Sequence, residues 1–454
     1  MVLKGVSIVL IAHILSGCVI RFGPLDEDGD GTSVNDERPT LPTPKPPGGG
    51  TPAPSEEEPV LDDAAQARQA EVDEYIRDTI YDGATIVDSF MLPSGDVVDF
   101  LDRNTLPAVP YEPPVLPFSQ ADLTLPPGVE LGKSELEQIP QLLALAETAT
   151  PMHRPTFWPY VLGETDATSL QDYLDRHQLG GEPGGSEHLH AGISVDVPNR
   201  GVGGFVNQFR PEVQPGSFSL IEFAVGCPAK GIPQEMVGVA ISIDKVNGFG
   251  KNNTTLTDNH ARLHVEYAIT NPSTGKLEYT WDHKDGKFKP NKLPHLHYPG
   301  EKVDVSEIGG KQVEHLLAIY QDLMGNWWIA YQGHILGHYP ADLFKSLNSQ
   351  ACRADWYGEV ARFKPKAPTP WPATEMGSGK FPNINDLSNT AYVRNPAFVE
   401  SFGLVAPAYS MVLDSLTEQA SCYNHSEPQD GTLLGDRLLY LGGQGGKAQG
   451  CVWP

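Results

Sequence analysis

The stretch GNWWIAYQGHILGHYPADLFKSLNSQACRADWYGEV, residues 325–360, decides how the rest of the chain is read. It opens on an aromatic, alternating run, Trp327–Tyr331, turns through Gly337 and Pro340, has room for one or two helical turns over 341–347, and returns as a second strand. That second strand closes on Trp356, Tyr357, Gly358 and Glu359. A carboxylate set among aromatic rings is in the surroundings that raise a pKa by desolvation and make an acid useful in catalysis. The plainer alternative is an acid at a strand end facing solvent.

Working outward, short alternating runs recur at 191–197, 205–209, 218–225, 236–243, 262–269, 277–281 and 313–319, separated by Gly, Pro and Asn. Runs of this length and punctuation predict a mainly β, antiparallel domain, and the pattern alone leaves sandwich and barrel open. Ahead of it, Val72, Ile76 and Ile80 repeat every four residues and predict an amphipathic helix over 62–81. A strand-turn-strand follows, 86–91 and 97–101 about the turn Pro93-Ser94-Gly95-Asp96. Residues 110–131 read as a Pro-rich connector and 135–149 as a second helix. Thr168 with Gln171 forms a capping box for a short helix through Leu174. The break at Gly180 to Gly185 marks where the main domain begins.

The bulk properties agree. With 454 residues and 39% hydrophobic content the chain can bury at least one sizeable core, and 46 Gly with 41 Pro favour turn-rich β structure. Thirty-two basic against 58 acidic residues leave a net charge of −26. That balance repels phosphate backbones, so no nucleic-acid partner is expected.

The first 18 residues carry Lys4, an apolar run 6–15 too short for a stable span, and then Leu15-Ser16-Gly17-Cys18. This resembles a bacterial lipoprotein signal with its lipobox. The resemblance implies that Cys18 becomes the lipidated N-terminus, tying the chain to a membrane at the outer membrane or cell surface. Residues 19–60 read as an acidic, Pro- and Gly-rich spacer. Within it Asp26, Asp28, Asp30, Gly31 and Glu37 have calcium-loop spacing, but Pro24 and Pro39 flank them where an EF-hand needs helices, which favours a tether. Cys227, Cys352, Cys422 and Cys451 remain, an even number in an exported chain, consistent with disulfides.

The motifs Gly325-Asn326-Trp327-Trp328, Leu336-Gly337-His338-Tyr339-Pro340, Leu343-Phe344, Trp356-Tyr357-Gly358-Glu359-Val360, Met376-Gly377-Ser378-Gly379-Lys380-Phe381-Pro382, and Cys422-Tyr423 through Leu441-Gly442-Gly443 run collinear over more than a hundred residues. Together they resemble the catalytic domain of the neprosin family of glutamic peptidases. Pro93 to Asp99 with Pro107-Ala108 resembles that family's activation peptide. The resemblance implies a curved antiparallel β-sandwich preceded by a small α+β leader, no cofactor, and a Cys422–Cys451 bridge, which leaves Cys227 and Cys352 as the other two. It implies that Glu359 is one of two catalytic acids, although Tyr357 replaces the family's first glycine. The leader would either cover the groove until removed or stand as a permanent small domain.

The second acid departs from the family pattern. Phe218-Ser219-Leu220-Ile221-Glu222 matches a Phe-Ser-Leu-x-Gln strand, with Glu222 in the Gln position. Glu235 lies near the family's Glu, one residue early relative to Gly238, a slip that turns a strand side chain over unless a bulge restores it. Glu235 is preferred and Glu222 is the alternative. Two such carboxyls facing one water, one ionised and one protonated, hydrolyse a peptide bond, a division that favours acidic pH. Trp327, Trp328, Trp356 and Tyr357 could line a groove for a proline-containing peptide, cleaved after proline, or could be core.

Two other readings stay open. The same sandwich without a working dyad would be a binding protein of the cell envelope. His188-Leu189-His190 and His295-Leu296-His297 place pairs of imidazoles on strand faces, so a His-ligated metallohydrolase, aided by Glu187, His283, His334 or His338, is a further rival to the metal-free scheme. Gly377-Ser378-Gly379 lacks a full nucleophile elbow. The expected organisation is signal 1–17, lipidated Cys18 with linker 18–60, leader 61–115, connector 116–185 and peptidase domain 186–454.

Overall fold

Each of the predicted alternating runs falls on a strand, because alternation lets every strand turn its apolar half toward one shared core. The second run is shifted, to Asn199–Asn207. The computed structural model describes residues 41–45, 61–107, 112–118, 124–177, 186–227, 235–244, 260–271, 277–282, 285–363, 371–431 and 435–451. Cys18, the acidic pattern 26–37 and His283 lie outside them.

One sheet carries the strands that matter for function. In chain order they are β1 Ser186–Val195, β2 Ser217–Gly226, β3 Glu235–Asp244, β4 Arg262–Thr270, β5 Leu277–Trp281, β6 Arg353–Phe363 and β7 Asp414–Ser415. Their spatial order is β5-β4-β3-β2-β6-β1-β7, antiparallel at each pairing. A second sheet runs His334–Tyr339, Trp327–Tyr331, Gln312–Gln321, Asn199–Asn207, Tyr392–Glu400 and Arg437–Gly442 in spatial order, with shorter strands at its margins. The fold is mainly β and is not a closed barrel. One hydrophobic core lies between the sheets. Ile193, Phe223, Val239, Val265 and Trp356 come from the first and Val206, Leu317, Ile329 and Leu439 from the second.

Gly337, expected in a turn, lies within the strand His334–Tyr339, and of 341–347 only Ala341–Leu343 is helical, as a single 3₁₀ turn. Cys227–Cys352 and Cys422–Cys451 are both bonded.

The leader is more elaborate than a helix and a hairpin. Ile86–Met91 pairs with Val97–Asp102, and the third strand of that sheet, Ala149–His153, comes from the supposed connector. Asp62 caps the helix Asp63–Tyr75 by accepting from the Ala65 N–H at 2.7 Å, and Val72, Ile76 and Ile80 are buried as their spacing predicts. The short helix Leu170–His177 starts one residue later than expected, with Ser169 capping Asp172 at 3.1 Å.

Leader and sandwich share a core in which Phe90, Val98 and Phe100 meet Tyr298. The tip of the hairpin adds a buried ion pair, Asp96 to Arg262 at 2.7 and 3.1 Å. Burial would raise the Asp96 carboxyl, but His153 and Arg262 outweigh it and hold the group well below its ordinary range. Removing one partner of such a pair strands the other charge. Asp96→Ala is therefore expected to cost about 3–5 kcal/mol in urea unfolding. A loss under about 1 kcal/mol would mean that Arg262 finds water instead.

Candidate functional site

The face of the first sheet turned away from the core is decided by register. On β6, Trp356, Gly358 and Val360 alternate with Tyr357, Glu359 and Ala361. Trp356 and Val360 enter the main core, and a Cβ on Gly358 would stand 2.6 Å from the Met376 sulfur. Tyr357 and Ala361 therefore face outward, into a small cluster with Phe218, Leu220, Ala224 and Ala240. Glu359 lies opposite His190 on β1 and Leu220 on β2, and Tyr357 lies opposite Glu222. Glu222 is thus a diagonal neighbour of Glu359, a relation that puts Cβ atoms within about 7–8 Å.

Glu359 is only 8% exposed. Its Oε1 meets His188 Nδ1 in a short contact and lies 3.7 Å from His190 Nε2. Burial pushes the carboxyl up, but the charges of His188 and His190 and the His188 hydrogen bond outweigh burial and hold it below its ordinary value. Burial opposes charge on His190, yet Glu359 and Glu418 together raise it. Glu418 reaches in from the segment after β7 and accepts from the His190 N–H at 2.9 Å while lying 3.1 Å from the ring.

Glu222, 1% exposed, is driven the other way. Burial raises its carboxyl well above the usual range, and the Glu266 and Glu359 carboxylates add to the rise, against the Tyr357 hydroxyl that donates to Oε2 at 2.8 Å. Glu266, from β4, is itself pushed up to about 8 by burial and by Glu359 and Asp282. Asp355, two residues before Tyr357, is raised to about 6 by burial against the pull of Arg353. Trp281 stands edge-on to Phe218 and His264 at 5.7 and 5.5 Å. The arrangement can present an ionised and a protonated carboxyl side by side, as acid–base chemistry on one bound water requires.

Glu235 is not part of this cluster. It begins β3 on the parity of Val237, Val239 and Ile241, all of them core residues, so no bulge turns it outward. Its carboxylate accepts the backbone N–H groups of Lys345, Ser346 and Leu347 at 2.7, 2.7 and 2.9 Å. The expected Glu359–Glu235 pair is replaced by Glu359 beside Glu222. The three tryptophans are likewise core. Trp327 and Trp356 lie in the main one, and Trp328 is sealed beneath Leu116 and Phe118 with its indole N–H on Asp322 at 2.8 Å. Of the four predicted groove aromatics only Tyr357 reaches the site.

The two His-x-His pairs do not converge. His188 and His190 serve Glu359 and Glu418, whereas His295 and His297 are buried with Glu301 and Tyr331 and lowered to about 4, burial being the main cause. Among the described residues no group of three His, Cys, Asp or Glu has the spacing to hold a metal. Sequence reasoning missed Glu266, Glu418 and Trp281. Glu266 was within reach, because Arg262, His264 and Glu266 alternate with Leu263, Val265 and Tyr267.

Residues 252–444 match the family model described as Neprosin, a span that includes Glu266, Glu359 and Cys422 but not Glu222. The likeness read from the motifs is thereby shown over that span. Among solved structures, Scytalido-glutamic peptidase bound to a peptide-based transition-state analogue is similar at 7% identity, covering 56% of this chain and 98% of that one with a TM-score of 0.28. SCP-B, a member of the Eqolisin family of peptidases in complex with the tripeptide Ala-Ile-His, gives 7%, 56%, 98% and 0.27. The kappa-carrageenase from Pseudoalteromonas carrageenovora gives 9%, 55%, 68% and 0.21. None of these likenesses is close enough to carry function across.

The three N–H groups held by Glu235 define its role. Glu235→Ala is expected to cost about 3 kcal/mol, as loss of charge-assisted hydrogen bonds does, and to let an added protease cut near 345–347 faster. Unchanged stability and unchanged resistance would show that the carboxylate does not hold that loop.

Proposed function

We propose, with residues 252–444 taken as a neprosin domain, that the chain is a glutamic endopeptidase in which Glu359 is the base and Glu222 the acid. The observation that carries this reading is the placing of Glu222 diagonally from Glu359 on one sheet face, with two imidazoles against Glu359 and the Tyr357 hydroxyl on Glu222, which biases the first carboxyl downward and leaves burial to bias the second upward. A water between them loses a proton to Glu359 as its oxygen attacks the scissile carbonyl carbon. The Glu222 proton goes first to the carbonyl oxygen and then to the leaving nitrogen as the C–N bond breaks. His188 and His190 stabilise the ionised base, and Tyr357 fixes the Glu222 carboxyl through Oε2.

Phe218, Trp281 and Tyr357 border the carboxyls and offer flat rings for a pyrrolidine, which supports cleavage on the carboxyl side of proline. Turnover extends from acidic pH into the neutral range, because the base stays ionised below the usual carboxyl pKa and the acid stays protonated above it. The protein acts while held through a lipidated Cys18 at the bacterial envelope. The Leu15-Ser16-Gly17-Cys18 motif supports that location, and fatty-acid labelling lost in Cys18→Ser tests it.

Glu359→Gln is expected to lower kcat on a proline-containing peptide by about 10²–10⁴-fold while circular dichroism stays unchanged. Turnover that survives the substitution would remove Glu359 from the mechanism, and a wild type without turnover would return the chain to an envelope-binding role.

A further inference from the structure

A two-carboxyl scheme leaves Glu266 without a task, although it shares the place of Glu222. Gly238 on β3 lies opposite Ala224 on β2 and opposite Glu266 on β4. A Cβ added there would stand 2.0 Å from Glu222 Oε1 and 2.9 Å from Glu266 Cγ, so the missing side chain is what lets the two carboxyls converge. Both side chains thus crowd the one point that a Cβ on Gly238 would fill. Glu222 Oε1 and Glu266 Oε2 are buried and have no other hydrogen-bond partner among the described residues.

The groups facing the pair do not neutralise two negative charges. On β6 these are Asp355, already paired with Arg353 at 2.6 Å, the Tyr357 hydroxyl and Glu359. On β1, His188 and His190 are turned to Glu359 and Glu418. On β4, His264 lies 3.1 Å from Asp282. On β5, Tyr279 is raised by burial and by Glu359, Glu266 and Glu222, and Trp281 is uncharged. On β2 and β3 the outward neighbours are Leu220, Ala224, Met236 and Ala240. Two bare carboxylates so placed repel each other strongly, whereas one proton between them turns repulsion into a hydrogen bond.

We infer that Glu266 is a positioning residue of the site, sharing one proton with Glu222 across Gly238 and so keeping on Glu222 the proton that is given to the leaving nitrogen. The inference rests on the peptidase reading for its catalytic half. As the C–N bond breaks, the one proton held by the pair leaves through Glu222 and reaches the leaving nitrogen by way of the carbonyl oxygen, so both carboxyls are briefly ionised. Glu359 releases the proton it took from water to solvent, and solvent reprotonates the pair, so each turnover consumes one water and no net proton on the enzyme.

The test uses the full chain and two readouts. Infrared titration with ¹³C-labelled glutamate counts protonated carboxyls without any substrate. Wild type is expected to keep carboxyl absorption that disappears only above about pH 6, well beyond ordinary glutamate, and Glu266→Gln is expected to shift that loss to lower pH. Its amide can still bond Glu222 but donates to the ionised form. Stability follows the same sign. A carboxyl raised in the folded state binds a proton that the unfolded chain has lost, so unfolding free energy falls between about pH 4.5 and pH 8, and Glu266→Gln flattens that fall. In the pH profile of kcat, Glu266→Gln moves the alkaline limb to lower pH, where a merely structural loss would depress all pH values equally.

Gly238→Ala, which separates the carboxyls without removing either, is expected to move the infrared titration the same way. A wild-type chain with no carboxyl titrating above about pH 6 would overturn the shared proton. An intact shared proton with a wild type that hydrolyses no peptide would overturn the peptidase reading alone.

Discussion

Glu359 can stay ionised while almost fully buried because two imidazoles stand against it, and the rest of the site follows from that pairing. A buried carboxylate costs several kcal/mol unless neighbours compensate it. His188 and His190 compensate Glu359, His190 from the position directly opposite it on β1 and His188 from two residues along the same strand. Glu222, a diagonal step away, is pushed the other way by burial and by the Glu266 and Glu359 carboxylates. Two chemically identical side chains are thereby biased to opposite acidities by their neighbours. The neighbours are in turn fixed by which residue faces which across β1, β6, β2, β3 and β4.

That register explains what could be read from the sequence. Period-two alternation was enough to find the longer strands of the first sheet. It was not enough to choose the partner acid. Glu235 was preferred because its segment resembles the family's strand despite standing one residue early relative to Gly238, but strand parity sets it with Val237 and Val239, on the core side. The N–H groups that capture it come from 345–347, over a hundred residues away, and no local pattern announces them. Trp327 and Trp328 were rightly placed on opposite faces. What the sequence hides is that both faces of the second sheet are covered, one by the core and the other by Leu116 and Phe118. Glu266 needed one more fact, that β4 borders β3 at the point where β3 has a glycine.

The leader shows the same limit at larger scale. Its helix and hairpin are legible because their signals are local: a capping Asp62, a four-residue apolar repeat and a Pro-Ser-Gly-Asp turn. Its third strand, 149–153, is too short to announce itself and is defined by pairing with Val97–Asp102. The resulting unit shares buried residues with the sandwich around Tyr298 and Asp96, while the cluster about Tyr357 contains no leader residue.

The Cys227–Cys352 bond acquires a meaning from where it falls. Cys227 immediately follows β2 and Cys352 immediately precedes β6, and the adjoining residues Gly226 and Arg353 face each other across the ladder. A strand that slides by two residues keeps all its side chains on their proper faces and so offends neither core nor solvent. Such a slide would nevertheless carry Glu359 past Glu222 and leave an apparently well-folded but chemically idle protein. A covalent tie at the shared end of the two strands forbids that error, making the crosslink a ruler for the distance between the two acids as much as a source of stability.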